Sequence, residues 1–92
     1  MITGNLKIKI HVPWVHSLKE KRMIVKSLCA RTRNKFNISI AEVEEQDIHQ
    51  TIVLGISFVT TDNSQADSIA DHVINYIESS TEGDIISIER NL

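Results

Sequence analysis

The 92-residue chain has one cysteine, one proline, three glycines, one tryptophan, one tyrosine and two phenylalanines. Each scarcity excludes something. Cys29 has no second cysteine, so no disulfide closes within the chain, and a cytoplasmic location is expected. Gly4, Gly55 and Gly83 are too scattered to build a phosphate-cradling loop. No apolar run approaches the roughly 18 residues of a membrane span. The start, Met1-Ile2-Thr3-Gly4, lacks the charged and apolar regions of a signal peptide. Cys29, His11, His16, His49 and His72 show no zinc-type spacing. Paired carboxylates and a nucleophile–base arrangement are also missing, so a non-enzymatic protein without a cofactor is expected.

What is present is ordinary in amount and unusual in distribution. Apolar residues make up 41% and charged residues 24%, as in a soluble globular chain, and the length suits a single domain over residues 1–92. Net charge is −2, yet residues 1–36 hold nine of the ten Lys and Arg and one of the twelve acids. Residues 37–92 hold the other eleven acids and one base, Arg90. A charge dipole of this kind can steer a partner, or be neutralised inside the fold where the two halves interleave.

The basic excess concentrates in one segment. Ser17-Leu18-Lys19-Glu20 is a capping box: Ser17 is expected to accept from the Glu20 N–H, and Glu20 from the Ser17 N–H. The stretch from Leu18 to Lys35 then contains no Gly or Pro. Leu18, Val25, Leu28, Cys29, Thr32 and Phe36 fall on one helical face. Lys21 projects near the middle of that face and is expected to snorkel past the end of the core. Lys19, Arg22, Lys26 and Arg33 share one flank, within about 60° of each other, with no acid among them. Arg31 and Lys35 lie on the other flank. A solvated face is the ordinary explanation of a charged flank, but acids usually intersperse on such a face.

The remaining segments supply a sheet and a second helix. Asn5 to Val12 alternates, with Leu6, Ile8, Ile10 and Val12 on one side and Lys7, Lys9 and His11 on the other. Asn37 is a candidate left-handed helix stop. Ile38 to Glu44 reads as a second strand whose apolar parity switches after Ile40, which a bulge or an exit from the core would explain. Glu45-Gln46-Asp47 is a polar turn, and His49 to Thr60 a long central strand. Ser64 to Ser79 reads as a helix burying Ala66, Ile69, Ala70, Val73 and Ile77, with Asp67, Asp71 and Glu78 along its outer flank. Asp84 to Arg90 is a last short strand, with Ile86 and Ile88 on one side and Ile85 on the other. The order β-α-β-β-α-β, with right-handed crossovers, predicts an α+β ferredoxin-like sandwich. Its four-stranded antiparallel sheet has the order 4-1-3-2 and both helices on one face.

Two motifs, His16-Ser17-Leu18-Lys19-Glu20-Lys21-Arg22 and Phe36-Asn37-Ile38-Ser39-Ile40-Ala41-Glu42-Val43, carry a resemblance, and Gln46-Asp47 and Leu54-Gly55 continue it. From end to end the chain resembles the YlxP-like family of small bacterial proteins. The resemblance implies a ferredoxin-like fold and a bacterial cytoplasmic protein. It says little about activity, although genes of the family often neighbour those for translation and ribosome-maturation factors. His49 stands here where many relatives carry Trp, and Trp14 where small residues are common.

These observations set expectations for function. The first is binding of structured RNA or a ribosomal subunit through Lys19, Arg22, Lys26 and Arg33, with His16 beside the helix N-terminus. The sheet lacks the exposed aromatics that base stacking requires, so recognition is expected to follow backbone shape. The alternative is a homodimer, or a module for a protein partner, using the open sheet face at Lys7, Lys9, Val43, Val53 and Ile85. No membrane partner is expected. For metal, His11 and His49 reach the same end of the open face if their strands pair antiparallel, with Glu42 or Glu44 next to them. Half-exposed histidines without a metal are the favoured reading.

Overall fold

The computed structural model describes residues 1–91. Strand β1 spans Ile2–His11, helix α1 Leu18–Lys35, β2 Ser39–Glu44, β3 Thr51–Thr60, helix α2 Asn63–Ser80 and β4 Asp84–Asn91. The strands form one antiparallel sheet in the order β2-β3-β1-β4. This is the ferredoxin-like topology expected from the element order. The core lies between the sheet and the helices. Leu6, Ile8, Ile10 and Val12 meet Ile52, Leu54, Ile56 and Phe58 across the β1–β3 pair, and Leu28, Cys29, Ala66, Ala70, Val73 and Ile77 cover them. Burial of each of the larger side chains contributes about 1.5–3 kcal/mol before chain entropy is counted.

β1 begins three residues earlier than its alternation suggests. Gly4 occupies an inward position opposite Phe58, and the ring lies directly over its Cα, where a Cβ would collide with it. An inward glycine leaves no apolar mark in the sequence. Gly83, in the turn between α2 and β4, makes a similar close approach. A Cβ there would lie 2.6 Å from Ile10 Cγ2 and 2.8 Å from the His11 carbonyl oxygen. Because a backbone atom cannot swing aside, Gly83→Ala is expected to cost roughly 1–3 kcal/mol by overpacking, read as a lowered urea midpoint at unchanged m-value.

The end of β1 and the start of α1 are organised by hydrogen bonds. Ser17 caps α1, its Oγ accepting from the Glu20 N–H at 3.1 Å. The reciprocal bond is displaced by one residue: Glu20 Oε1 accepts from the His16 N–H at 3.1 Å, not from that of Ser17. At the other end the chain does not turn left-handed at Asn37. Phe36 is extended, donates its N–H to Thr32 O, and sets its ring edge-on to Tyr76 at 5.7 Å. That aromatic contact draws the chain directly into β2. Among the described residues the only non-glycine with positive φ is Glu45, at 53°, in the β2–β3 turn.

Two bulges re-aim side chains. In β2 the register slips between Glu42 and Glu44, beyond the parity switch, while Ile40, Ala41 and Glu42 keep regular register with Ile56, Gly55 and Leu54. In β4 the slip falls between Ser87 and Ile85, which pair with Lys9 and Ile10. Ile85 therefore sits on the helix side of the sheet, packed against the core, and does not reach the open face. Ile88, opposite Ile8, shares that side, whereas Ile86 is the extra residue and is exposed. Strict alternation along Asp84–Arg90 places Ile88 correctly but misplaces Ile85 and Ile86, because a bulge inverts parity. Helix α2 starts at Asp62, whose carboxylate accepts from the Gln65 N–H at 2.8 Å, and runs one residue past the expected end.

Candidate nucleic-acid interface

The cations of this chain divide into those with a carboxylate partner and those without one. Lys7 Nζ lies 2.7 Å from Glu44 and 3.1 Å from Glu89, and Lys9 Nζ lies 2.9 Å from Glu45. Arg90 Nη1 donates to Asp71 at 2.7 Å, and Asp67 lies 3.5 Å from its other nitrogen. The expected acidic flank of α2 is thus partly neutralised by β4.

Lys21 is the fourth paired cation, and it departs most from expectation. It does not snorkel. Its side chain is fully buried, and its ammonium donates to the Glu45 carbonyl at 2.7 Å and the Ile48 carbonyl at 2.6 Å and forms an ion pair with Glu42 Oε2 at 2.7 Å. The ion pair is the only partner of Glu42 Oε2 among the described residues. A helix residue thereby ties down the β2–β3 connection, whose own turn is closed by the Ile48 N–H donating to Glu45 O at 3.0 Å.

No carboxylate of the described residues comes within ion-pairing distance of Lys19, Arg22, Lys26, Arg31, Arg33 or Lys35. All six are exposed. Arg31 and Lys35 turn toward α2, the first donating to the Ser80 carbonyl at 3.4 Å and the second lying 6.0 Å from the Tyr76 ring centre. Lys19, Arg22, Lys26 and Arg33 occupy the opposite flank, beside the outer edge of β2. Arg33 Nη1 donates to the Ile40 carbonyl at 3.2 Å and so marks that edge. From Lys19 to Arg33 the flank extends about 21 Å along the axis at ~1.5 Å per residue. His16 is exposed at the helix start, where Ser17 Oγ takes the Glu20 N–H and the Glu20 carboxylate, bonded to the His16 N–H, adds negative charge.

The open sheet face is less available than its composition suggests. Lys7 and Lys9 stand on the central strand β1 with acids from both sides around them, and the two carboxylates beside Lys7 raise its pKa above the ordinary lysine value. Val53, opposite Lys9, is only 2% exposed, at the floor of a crevice lined by both lysines, Glu44, Glu45 and Glu89. Of the apolar residues named for a docking face, Val43 remains exposed, while Val53 and Ile85 are covered. His11 pairs with Thr51 and Asp84, and His49 lies in the β2–β3 connection. Among the described residues no three His, Cys, Asp or Glu side chains converge as metal ligands. Cys29 is buried, and burial, followed by the nearby Glu42 carboxylate, pushes its thiol pKa up against the opposing effect of Arg33. Such a thiol is not activated as a nucleophile.

The arrangement presents one extended cationic flank. A family model described as "Protein of unknown function (DUF503)" matches residues 3–90. The chain belongs to that family. It is 40% identical over 63 residues, 68% of each chain, to the "Uncharacterized protein YlxP" of Bacillus subtilis (strain 168), in line with the YlxP-like motifs of the sequence. Solved structures agree on the fold. A de novo designed protein with ferredoxin fold, determined by solution NMR, aligns at a TM-score of 0.60 and 20% identity over 99% of this chain and 84% of that one. The structural-genomics protein YJCS aligns at 0.56 and 13% identity, over 99% and 98% of the two chains. Membership of the DUF503 family and a ferredoxin-like fold leave the assignment of function to the surface itself. No helix of the described residues is long and apolar enough to cross a membrane.

The sequence pointed to the four stripe residues but not to the partner of Lys21. A partial signal existed: a lysine amid an apolar helix face implies an acid on the strand beneath it, and Glu42 and Glu44 both share the parity of Ile40, the bulge between them sending Glu44 to Lys7.

Proposed function

We propose that this protein is a non-enzymatic, cytoplasmic accessory factor that binds structured RNA, such as a ribosomal subunit presents, along the outer flank of α1. One observation carries the reading: four exposed cations share that flank, and none is neutralised within the described chain, whereas Lys7, Lys9, Lys21 and Arg90 all are. Lysine and arginine spaced along a helix face follow a phosphate backbone, each contact releasing counterions. Trp14, an exposed aromatic, lies with Met23 in a groove on the other side of α1, so the stripe has no stacking platform beside it. A duplex read by shape suits such a surface better than single-stranded bases. The gene neighbourhood typical of YlxP-like proteins agrees with a role in translation or ribosome maturation.

Titration of an RNA hairpin across a salt series tests the reading. Four phosphate contacts predict a log–log slope of roughly −3, with the duplex stem preferred over an unpaired strand. A slope near zero would remove the electrostatic basis of the proposal.

A further inference from the structure

The flank of α1 that faces α2 is only half covered. Helix α2 ends level with Arg31, as the contact of that guanidinium with the Ser80 carbonyl shows. The earlier turns of α1, from Glu20 to Ser27, border an open space together with Trp14 and with Ser80, Thr81 and Glu82 at the end of α2. The space left open is a groove of about 570 Å³. Ile24 and Leu28 form its floor, Met23 stands 66% exposed on one wall, and Trp14, 42% exposed, closes the end.

The groove lies where α2 would continue if it were longer. From Glu20 to Arg31 it runs about 16 Å along α1, or about three helical turns. Its polar rim is mostly negative. Glu20 and Glu82 have no ion pair among the described residues, and the last turn of α2 carries no basic residue of its own. Arg31, the one cation, is held at the far end by Ser80.

We infer that this groove docks a basic amphipathic helix of a partner protein, its apolar stripe on Ile24, Leu28, Met23 and Trp14 and its lysines or arginines beside Glu20 and Glu82. Such a segment completes the helical layer where α2 stops, and its charge complements the rim. The surface is separate from the RNA-binding flank and does not depend on it. A ribonucleoprotein offers both chemistries, phosphate to one side of α1 and basic protein segments to the other.

Trp14 is the only tryptophan, so its emission reports the groove directly. The probes are two short synthetic helices without aromatics, each with leucines at i, i+3, i+4 and i+7, one with lysines and one with glutamates at the remaining positions. The leucine–lysine helix is expected to shift Trp14 emission to the blue and saturate, and the leucine–glutamate helix to bind at least about tenfold more weakly. Glu82→Lys and Met23→Lys alter exposed side chains, leave the fold intact, and are each expected to weaken the leucine–lysine helix by about tenfold. Glu78→Lys makes the same charge change on α2 outside the groove and should leave binding as it was. Equal binding of the two helices, or indifference to both groove variants, overturns the inference. So does a blue shift produced by spermidine alone, which assigns the groove to a small polyamine. A dimer that buries Trp14 before any peptide is added assigns it to a second copy of the chain.

Discussion

Lys21→Ala is expected to destabilise the fold by about 3–5 kcal/mol, the cost of stranding a buried charge. The substitution removes an ammonium that donates to two carbonyls at 2.6–2.7 Å and pairs with a carboxylate at 2.7 Å. Glu42, whose side chain is 14% exposed, is left without its counter-ion. The Ile48 carbonyl loses its ammonium donor, while Glu45 O keeps the Ile48 N–H. For a domain of this size each kcal/mol shifts the thermal midpoint by about 4–8 °C, so the variant should melt more than about 10 °C below the parent. Lys21→Met combined with Glu42→Leu should recover much of that loss, because an apolar pair of similar volume leaves no buried charge. The recovered portion measures the coupling in a double-mutant cycle. A loss under about 1 kcal/mol for Lys21→Ala would show that the ammonium is not seated among those acceptors.

The second large effect concerns RNA. Reversing Arg22 and Lys26 together to Glu replaces two phosphate contacts with two repulsions in the middle of the stripe. Affinity for the RNA hairpin at low salt is expected to fall about 100-fold, and the salt slope to shrink from roughly −3 to roughly −1. Both side chains are exposed and unpaired among the described residues, so the thermal midpoint should hardly move. Arg31→Glu with Lys35→Glu is the matched control, with the same change in net charge on the opposite flank. If the two double variants weaken RNA equally, net charge and not the stripe governs binding. If neither weakens it, α1 is not the RNA surface.

Placing these effects required different amounts of tertiary information. The helix of Leu18–Lys35, its Ser17 cap, the central strand with Ile52, Leu54, Ile56 and Phe58 inward, and the sheet order were all legible in the chain. Those features depend on period and on local capping chemistry, and both act over a few residues. The stripe of Lys19, Arg22, Lys26 and Arg33 was legible for the same reason. Where local pattern was interrupted, reading failed. The inward Gly4 hid the first turn of β1, the slip in β4 turned Ile85 to the core, and the contact of Phe36 with Tyr76 replaced a left-handed stop at Asn37.

By itself the chain determined which residues share a face, because backbone geometry imposes periods of 3.6 and 2 on any sequence that adopts helix or strand. Only the tertiary structure decided which charges meet. It brought Glu44, Glu89 and Glu45 to the lysines of β1, set Glu42 against Lys21, and left the outer flank of α1 without a carboxylate partner among the described residues. Coulomb energy falls with distance and rises as water is excluded, and both depend on how segments far apart in sequence pack.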